Sequence, residues 1–247
     1  MNLRSFNIAP RAAFCFALIT LLVMALGVFS LYKLGDLYQA EQDIETNWMA
    51  SIQATGEMQK DLLNVRLETL RMLAMVENTS QQTIDDSAAQ SYRTALQQIL
   101  DQYGRHMVST DVERGMFNRV NTSAQTYLSG QQQIVDSLRQ NQLSQALALA
   151  NGSVREAGAT LQQQLDELTA YNMQGAKQAG INANTIYQHG RTGVLVTISV
   201  AVLLTVLLAT LLTRSIAAPI REALQSAETI ASGDLTRAVL VLSLIHI

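Results

Sequence analysis

Proline, cysteine and aromatic residues are scarce in this chain of 247 residues, and charged residues make up only 15% of it. The only prolines are Pro10 and Pro219, so the 208 residues between them contain no residue that breaks a helix by lacking an N–H group. This stretch is rich in glutamine, alanine and leucine, which favour helices, and the composition therefore predicts an all-α fold. Cys15 is the only cysteine, which excludes an intrachain disulfide and predicts a small packing residue.

The few charged residues argue against several function classes. Between Lys33 and Arg191 there are 12 basic and 17 acidic residues, a net charge of −5, without a basic patch of the kind that binds nucleic acid. His106 and His189 stand far apart, and no cysteine or second histidine accompanies them at metal-ligand spacing, so no metal or cofactor is expected. No nucleophile–base set, phosphate-binding glycine loop or pair of catalytic acids is recognisable, and we expect a chain that is not an enzyme.

Two long apolar runs dominate the sequence. Ala12–Leu31 contains 20 mostly apolar residues and Val194–Leu212 contains 19, and each run is long enough to cross a bilayer as a helix. The first run has an alternative interpretation as a cleaved signal peptide. A signal peptide has a shorter apolar core and a small-x-small cleavage site, so the run to Leu31 favours an uncleaved transmembrane helix.

Basic residues predict how the chain is oriented in the membrane. Arg4 and Arg11 precede the first run, and Arg214 and Arg221 follow the second. Because cytoplasmic flanks carry the excess of Lys and Arg, both ends are expected in the cytoplasm and residues 33–190 outside it.

Turn residues divide the region between the spans into four helical stretches. The breaks are predicted at Asn78–Asp86, Ser109–Asp111 and Gln140–Leu143. Short connections favour an up-down-up-down bundle, in which the first and fourth helices continue the two transmembrane helices. A displacement at the far end of the bundle would then have a rigid path to the membrane.

Local patterns refine these helices. Thr83 with Asp86 resembles a capping box, and Thr110 with Glu113 matches that pattern better. The pair Asn151-Gly152 predicts an irregularity in the fourth helix. In that helix apolar residues recur every seven positions, as in the seam of a bundle or coiled coil: Leu147, Val154, Leu161 and Leu168.

An amphipathic helix is predicted behind the second apolar run. Arg214 follows the run directly, and Pro219 stands where it could begin a new helix at the first turn. A helix that lies on the membrane surface is the alternative interpretation. Apolar residues recur there at the helical period, namely Ile216, Ile220, Leu224, Ala227, Ile230 and Ala231.

This order of parts resembles that of bacterial methyl-accepting chemotaxis proteins, in which a HAMP domain follows the second span. The HAMP features are a basic junction, a proline and an Ile-Ala-x-Gly-Asp-Leu ending, matched here by Arg214, Pro219, Ile230, Ala231, Gly233, Asp234 and Leu235. The resemblance implies that a signal passes through Arg214, Ile216, Pro219, Gly233 and Asp234. It covers about residues 1–238, and we expect the unmatched residues 239–247 to be a truncation or sequence artefact.

The resemblance also implies an organisation and a set of partners. The expected partners are a second copy of the chain, a small anionic ligand and, in the full-length protein, a coupling protein and a histidine kinase. The expected location is the bacterial inner membrane, with the sensor in the periplasm. The expected parts are a cytoplasmic N-terminus (1–11), transmembrane helix 1 (12–32), a four-helix-bundle sensor (33–190), transmembrane helix 2 (191–213), a partial HAMP linker (214–238) and the tail (239–247).

Other outputs are compatible with the same input modules. A sensor histidine kinase and a cyclic-dinucleotide synthase both use such sensors and HAMP linkers, and a structural membrane bundle without a ligand is a third possibility. The sequence that follows a complete HAMP domain in the full-length gene would distinguish the two enzymes from a chemoreceptor.

Arg66 is the most informative charge in the predicted sensor. At about 100° per residue it falls roughly 40° from Leu62, inside an arc that also holds Leu63 and Leu70. A cation in an apolar arc needs an anion, water or another subunit. It is therefore a candidate ligand residue, with a structural layer of the bundle as the alternative.

Two further candidates come from the resemblance. Chemoreceptors of the aspartate-sensing type bind carboxylates with arginines on the first sensor helix, and Arg66 and Arg71 match the spacing Arg-x4-Arg. A third family arginine would fall at Met75, and an early threonine of the fourth helix has only a loose counterpart in Ser153. Arg71 alternatively forms a surface pair with Glu68. The implied ligand is a small organic or amino acid anion, which a guanidinium binds through paired hydrogen bonds.

Overall fold

The computed structural model describes residues 8–232, which form helices and short connections without a strand. The all-α prediction is confirmed. In chain order the helices are α1 (Ile8–Asp43), a π-helical turn (Ile44–Met49), α2 (Ala50–Ala74), α3 (Thr79–His106), α4 (Asp111–Arg139), α5 (Leu143–Asn151) and α6 (Ser153–Ala231).

The described residues form two compact units. One is Tyr38–Ala183, in which α2 to α5 and the first part of α6 pack around a single core. The other contains residues 8–37 and 184–232. The largest fully buried apolar side chains of the core are Tyr103, Met58, Met72, Leu96, Ile134, Leu161, Leu165 and Leu168.

The unit of residues 8–37 and 184–232 exposes its apolar side chains. Phe14 is 67% exposed and Leu203 is 70% exposed. By length and composition, two of the described helices qualify as candidate membrane spans. No residue in the most apolar window of either helix is buried inside the protein. Where the two helices pack, a Cβ atom added to Gly193 would lie 3.1 Å from Cζ of Phe29. The glycine therefore allows the aromatic ring to approach the helix backbone closely.

The connections confirm two of the three predicted breaks and shift the other. The connections 107–110 and 140–142 lie where the sequence places them. The first break comes earlier than predicted, because α2 ends at Ala74 and α3 begins at Thr79. Asn78 caps α3 by accepting a hydrogen bond from the Gln81 N–H (3.1 Å), so the proposed capping box at Thr83 is wrong and Thr83 lies inside the helix.

The predicted capping box of α4 is present in a modified form. The Thr110 hydroxyl accepts from the Glu113 N–H (3.1 Å). The Glu113 carboxylate reaches back one residue further than the usual box and accepts from the Ser109 N–H (2.8 Å).

The seven-residue pattern of the last helices is confirmed in part. Val154, Leu161 and Leu168 are buried, but Leu147 is 40% exposed and Ala146 takes the buried position. The reason is the predicted irregularity, since the helix breaks at Gly152 and the register of α5 differs from that of α6.

Candidate ligand site on the first sensor helix

Helix α2 has two apolar faces, where the sequence analysis assumed one. The face with Met58, Leu62, Val65 and Met72 is buried in the core. The other face is exposed, with Leu63, Leu67 and Leu70 exposed by 56%, 46% and 52%. We define the α2 seam as the residues on this exposed side that follow the spacing of a heptad repeat: Gly56, Leu63, Leu67 and Leu70.

Arg66 lies at the edge of the α2 seam. It is exposed, and its helical neighbours three positions before and four after are Leu63 and Leu70. Within residues 8–232 its guanidinium has no hydrogen bond or ion pair. Its charge acts on Tyr127 of α4, which is 3% exposed. The structure thus places an unpaired cation beside exposed apolar surface and close to the core.

Arg71 is already engaged. Its Nη1 donates to Glu68 Oε1 (2.9 Å) and Oε2 (3.2 Å), and Glu68 is only 6% exposed. The Glu68–Arg71 pair considered as an alternative is therefore present. A ligand at Arg71 would have to compete with this nearly buried carboxylate.

Ser153 is the exposed first residue of α6. The adjacent turns pack against α4: a Cβ added to Gly130 would meet Val154 at 2.8 Å, and one added to Gly158 would meet Tyr127 at 3.1 Å. Tyr127 is thus a neighbour of both Arg66 and the start of α6. No hydrogen bond joins Ser153 to either arginine in the part of the chain that the structure describes.

The predicted relay residues lie in or beyond the end of α6. Arg214 is exposed, and the helix continues through positions 216 and 219 to Ala231. Pro219 therefore does not begin a separate helix. The good helix formers around it maintain the helix at the cost of one backbone hydrogen bond. Gly233, Asp234, Leu235 and the tail 239–247 lie outside the described residues.

A buried polar network that sequence reasoning missed joins α3, α4 and α6. Glu113 is fully buried and accepts from the Tyr103 hydroxyl (2.6 Å) and the Ser109 hydroxyl (3.0 Å). Asn172 donates to the Tyr103 oxygen (2.7 Å), while its own Oδ1 is buried and has no hydrogen-bond partner among residues 8–232. The capping-box pattern pointed to Glu113, but its partners on other helices could not be identified from the sequence.

A second network joins α2, α3 and α4. The buried Gln131 accepts from Arg93 Nη1 and donates to the Thr69 hydroxyl (3.1 Å). Arg93 also donates to Gln132 and Gln90. Burial lowers the pKa of Arg93, which is held by amide oxygens within hydrogen-bond distance. A satisfied polar layer of this kind fixes how neighbouring helices are paired.

The buried tyrosines predict a loss of stability at alkaline pH. Burial raises the pKa of Tyr127 to about 12, although the Arg66 charge lowers it, and burial raises the pKa of Tyr103 further. Because the folded chain holds these protons more tightly, their contribution is complete below the ordinary pKa of about 10 and is lost as pH rises above it. Urea unfolding between about pH 8 and pH 11 should show the decline, and Tyr103→Phe with Tyr127→Phe should reduce its slope. An unchanged slope would contradict the prediction.

Comparison with known proteins gives one family match and one relative of this chain. Residues 5–187 match the family described as a four helix bundle sensory module for signal transduction. The chain is also 25% identical over 222 residues to a Bacillus subtilis (strain 168) protein that carries the name sensory transducer protein YvaQ. The match covers 89% of this chain and 38% of that relative, so the chain spans well under half of the relative's length.

Proposed function

Because the chain belongs to the family of four-helix-bundle sensory modules for signal transduction, we propose that it is the input part of a dimeric transmembrane chemoreceptor. A small anion outside the cytoplasm binds between two sensor bundles and changes the relative position of the two membrane helices. The HAMP segment passes this change to the output of the full-length protein. The observation that carries the proposal is the exposed α2 seam with the unpaired Arg66 at its edge.

The α2 seam supports a second copy of the chain as its partner. Gly56, Leu63 and Leu70 are separated by seven residues, the repeat that brings equivalent positions of two parallel helices together. Two chains anchored in the same membrane with the same orientation are related by a two-fold axis along the membrane normal. That symmetry places each seam against its own copy.

Arg66 supports an anionic ligand at that interface. Pairing two seams brings two guanidinium groups toward each other, and like charges repel. A small carboxylate would neutralise them and accept paired hydrogen bonds. Ligand binding and dimer formation are then coupled, because a ligand that contacts both copies of the chain stabilises the dimer. In this proposal Arg71 and Ser153 contribute secondary contacts, with Glu68 competing for Arg71.

The two apolar runs and the basic flanks support a location in the bacterial inner membrane with the bundle in the periplasm. Arg214 and Pro219 then mark where α6 leaves the lipid, and the HAMP resemblance supports a relay there through Ile216, Gly233 and Asp234. The name of the relative favours a transducer output with a coupling protein and histidine kinase over an enzymatic one. We propose a sensory, non-catalytic role for this chain.

Disulfide cross-linking tests the dimer. In a Cys15→Ser background, Leu63→Cys is expected to cross-link two copies of the full chain in lipid nanodiscs, because equivalent seam residues face each other. Val112→Cys is a matched control, since Val112 is 62% exposed but lies on α4 away from the seam. Equal cross-linking of both variants would contradict the proposed interface.

Calorimetric titration of the same nanodiscs with organic and amino acid anions tests the ligand. Arg66→Ala is expected to weaken binding by about tenfold or more, the effect of losing a charge-assisted hydrogen bond. Arg119→Ala removes an exposed arginine of α4 and should change affinity by less than about twofold. If an anion binds and Arg66→Ala binds it equally well, the site assignment is wrong. If no anion binds, a structural bundle without a ligand is favoured.

A further inference from the structure

A cavity of about 420 Å³ lies at one end of the helical bundle, between the last turns of α2, the first turns of α3 and the last turns of α4. Its floor is apolar, with Met72 and Val135 each 2% exposed and Leu138 8% exposed. Its rim is polar and includes Asp86 and Arg139. An apolar floor with a few polar groups at the edge is the usual form of a small-molecule site.

Two helix C-termini and one helix N-terminus, that of α3, border this cavity, so the helix ends together favour positive charge. The C-terminal ends of α2 and α4 both border it, and the carbonyl groups at a helix C-terminus favour positive charge. Gln82 already donates a hydrogen bond from its Nε2 to the Met72 carbonyl at this place (3.3 Å). Further hydrogen-bond donors at the rim would therefore be stabilised.

Several charged side chains lie at or beside the rim of the cavity. Asp86 and Asp136 both pair with Arg139, and the neighbouring Asp85 is buried with its Oδ2 unpartnered within residues 8–232. Arg93 is another cation near these carboxylates, but its guanidinium already donates to three glutamine oxygens. Of these charged residues only Asp86 and Arg139 line the cavity, and they are paired with each other.

The ion pair between Asp86 and Arg139 can break while Arg139 keeps a second carboxylate partner. The Arg139 side chain is 61% exposed, and its second partner Asp136 lies 3.6 Å away. A ligand cation that takes the place of Arg139 at Asp86 therefore leaves Arg139 paired with Asp136. The pair is partly buried, with the Arg139 side chain 61% and the Asp86 side chain 26% exposed, so its contribution to stability is modest and the exchange costs little.

We propose that this cavity binds a small aliphatic ammonium compound, with its hydrocarbon part on Met72, Val135 and Leu138 and its ammonium group at Asp86. The site lies within one copy of the chain and prefers the opposite charge from the anion site at Arg66. It therefore does not depend on the dimer or on the proposed anion ligand, and either proposal can fail without the other.

The test uses the full chain in lipid nanodiscs with ¹³C-labelled methionine methyl groups and n-butylammonium as the probe. The Met72 signal, assigned with Met72→Leu, is expected to shift and reach saturation, while the signal of the equally buried Met58 stays in place. Sodium butyrate and 1-butanol have the same hydrocarbon chain without the positive charge, and they should bind at least about tenfold more weakly. No shift at Met72, or equal binding of butyrate, would overturn the proposal.

Two substitutions give effects of opposite sign. Asp86→Asn should weaken butylammonium binding by about tenfold, and Arg139→Gln should strengthen it because the resident competitor is removed. Asp101→Asn removes a carboxylate from the same helix, outside the cavity, and should change affinity by less than about twofold. If Asp86→Asn does not fold, Arg139→Gln alone decides, since weaker binding by that variant would contradict a cation site.

Discussion

Gly175→Ala is expected to destabilise the bundle by about 1–3 kcal/mol, although alanine normally stabilises a helix relative to glycine. A Cβ atom added at Gly175 of α6 would lie 2.0 Å from Cζ3 of Trp48. The indole would have to shift, at the expense of the hydrogen bond from its Nε1 to Asp43 (3.2 Å) and of its contact with the Tyr171 ring, whose centroid lies 6.3 Å away. Urea unfolding of the full chain measures the change.

A second glycine of α6 provides the matched control. A Cβ atom added at Gly180 would meet no atom of the described residues within 4 Å, so Gly180→Ala should stabilise the chain by about 0.5–1 kcal/mol. The combination of Trp48→Ala with Gly175→Ala should cost less than the sum of the two single changes, because the smaller side chain makes room for the methyl group. Additive effects, or stabilisation by Gly175→Ala alone, would show that the contact does not constrain the helix pair.

The Trp48–Gly175 contact could not have been predicted from the sequence. The two residues are far apart in the chain, and the tryptophan reaches α6 from a π-helical turn, Ile44–Met49, that no sequence pattern indicated. Such turns change the direction in which following side chains leave the helix and often occur at functional sites. A helical wheel assumes a constant period and cannot describe this change.

Other features followed directly from local chemistry. The scarcity of proline predicted the helices, and the hydroxyl of Thr110 predicted the start of α4. The start of α3 was misplaced because an asparagine at Asn78 caps the helix before the apparent capping box at Thr83. Both caps are chemically reasonable, and the sequence does not tell which one the chain uses.

The candidate site was predictable only in part. The helical period correctly placed Arg66 among apolar residues of α2, but it merged a buried face and an exposed face into a single arc. A wheel shows which side chains share a side of one helix, whereas the positions of the other helices decide which side is covered. The exposure of Leu63 and Leu70, on which the proposed dimer depends, therefore emerged only from the three-dimensional structure.

Glu113→Ala is expected to destabilise the chain by about 3 kcal/mol, because it leaves the buried Tyr103 hydroxyl without its acceptor and removes two hydrogen bonds from Ser109. The carboxylate is fully buried and accepts from the Tyr103 hydroxyl, the Ser109 N–H and the Ser109 hydroxyl. Water can reach the exposed Ser109, but it cannot reach the Tyr103 hydroxyl without opening the junction of α3 and α4. Chemical unfolding of the full chain measures the effect.

Two further variants test whether the loss of stability comes from the buried hydrogen bonds of Glu113. The alternative is that removing any acidic residue near the start of a helix has the same effect. Glu156 occupies the first turn of α6 and is exposed, so Glu156→Ala should change the free energy of unfolding by less than about 0.5 kcal/mol. Tyr103→Phe should cost about 1 kcal/mol, and in combination with Glu113→Ala the loss should be smaller than the sum, because both changes remove the same hydrogen bond. Equal effects of Glu113→Ala and Glu156→Ala would mean that the buried carboxylate acts only through the helix dipole, which contributes less than about 1 kcal/mol at an exposed helix start.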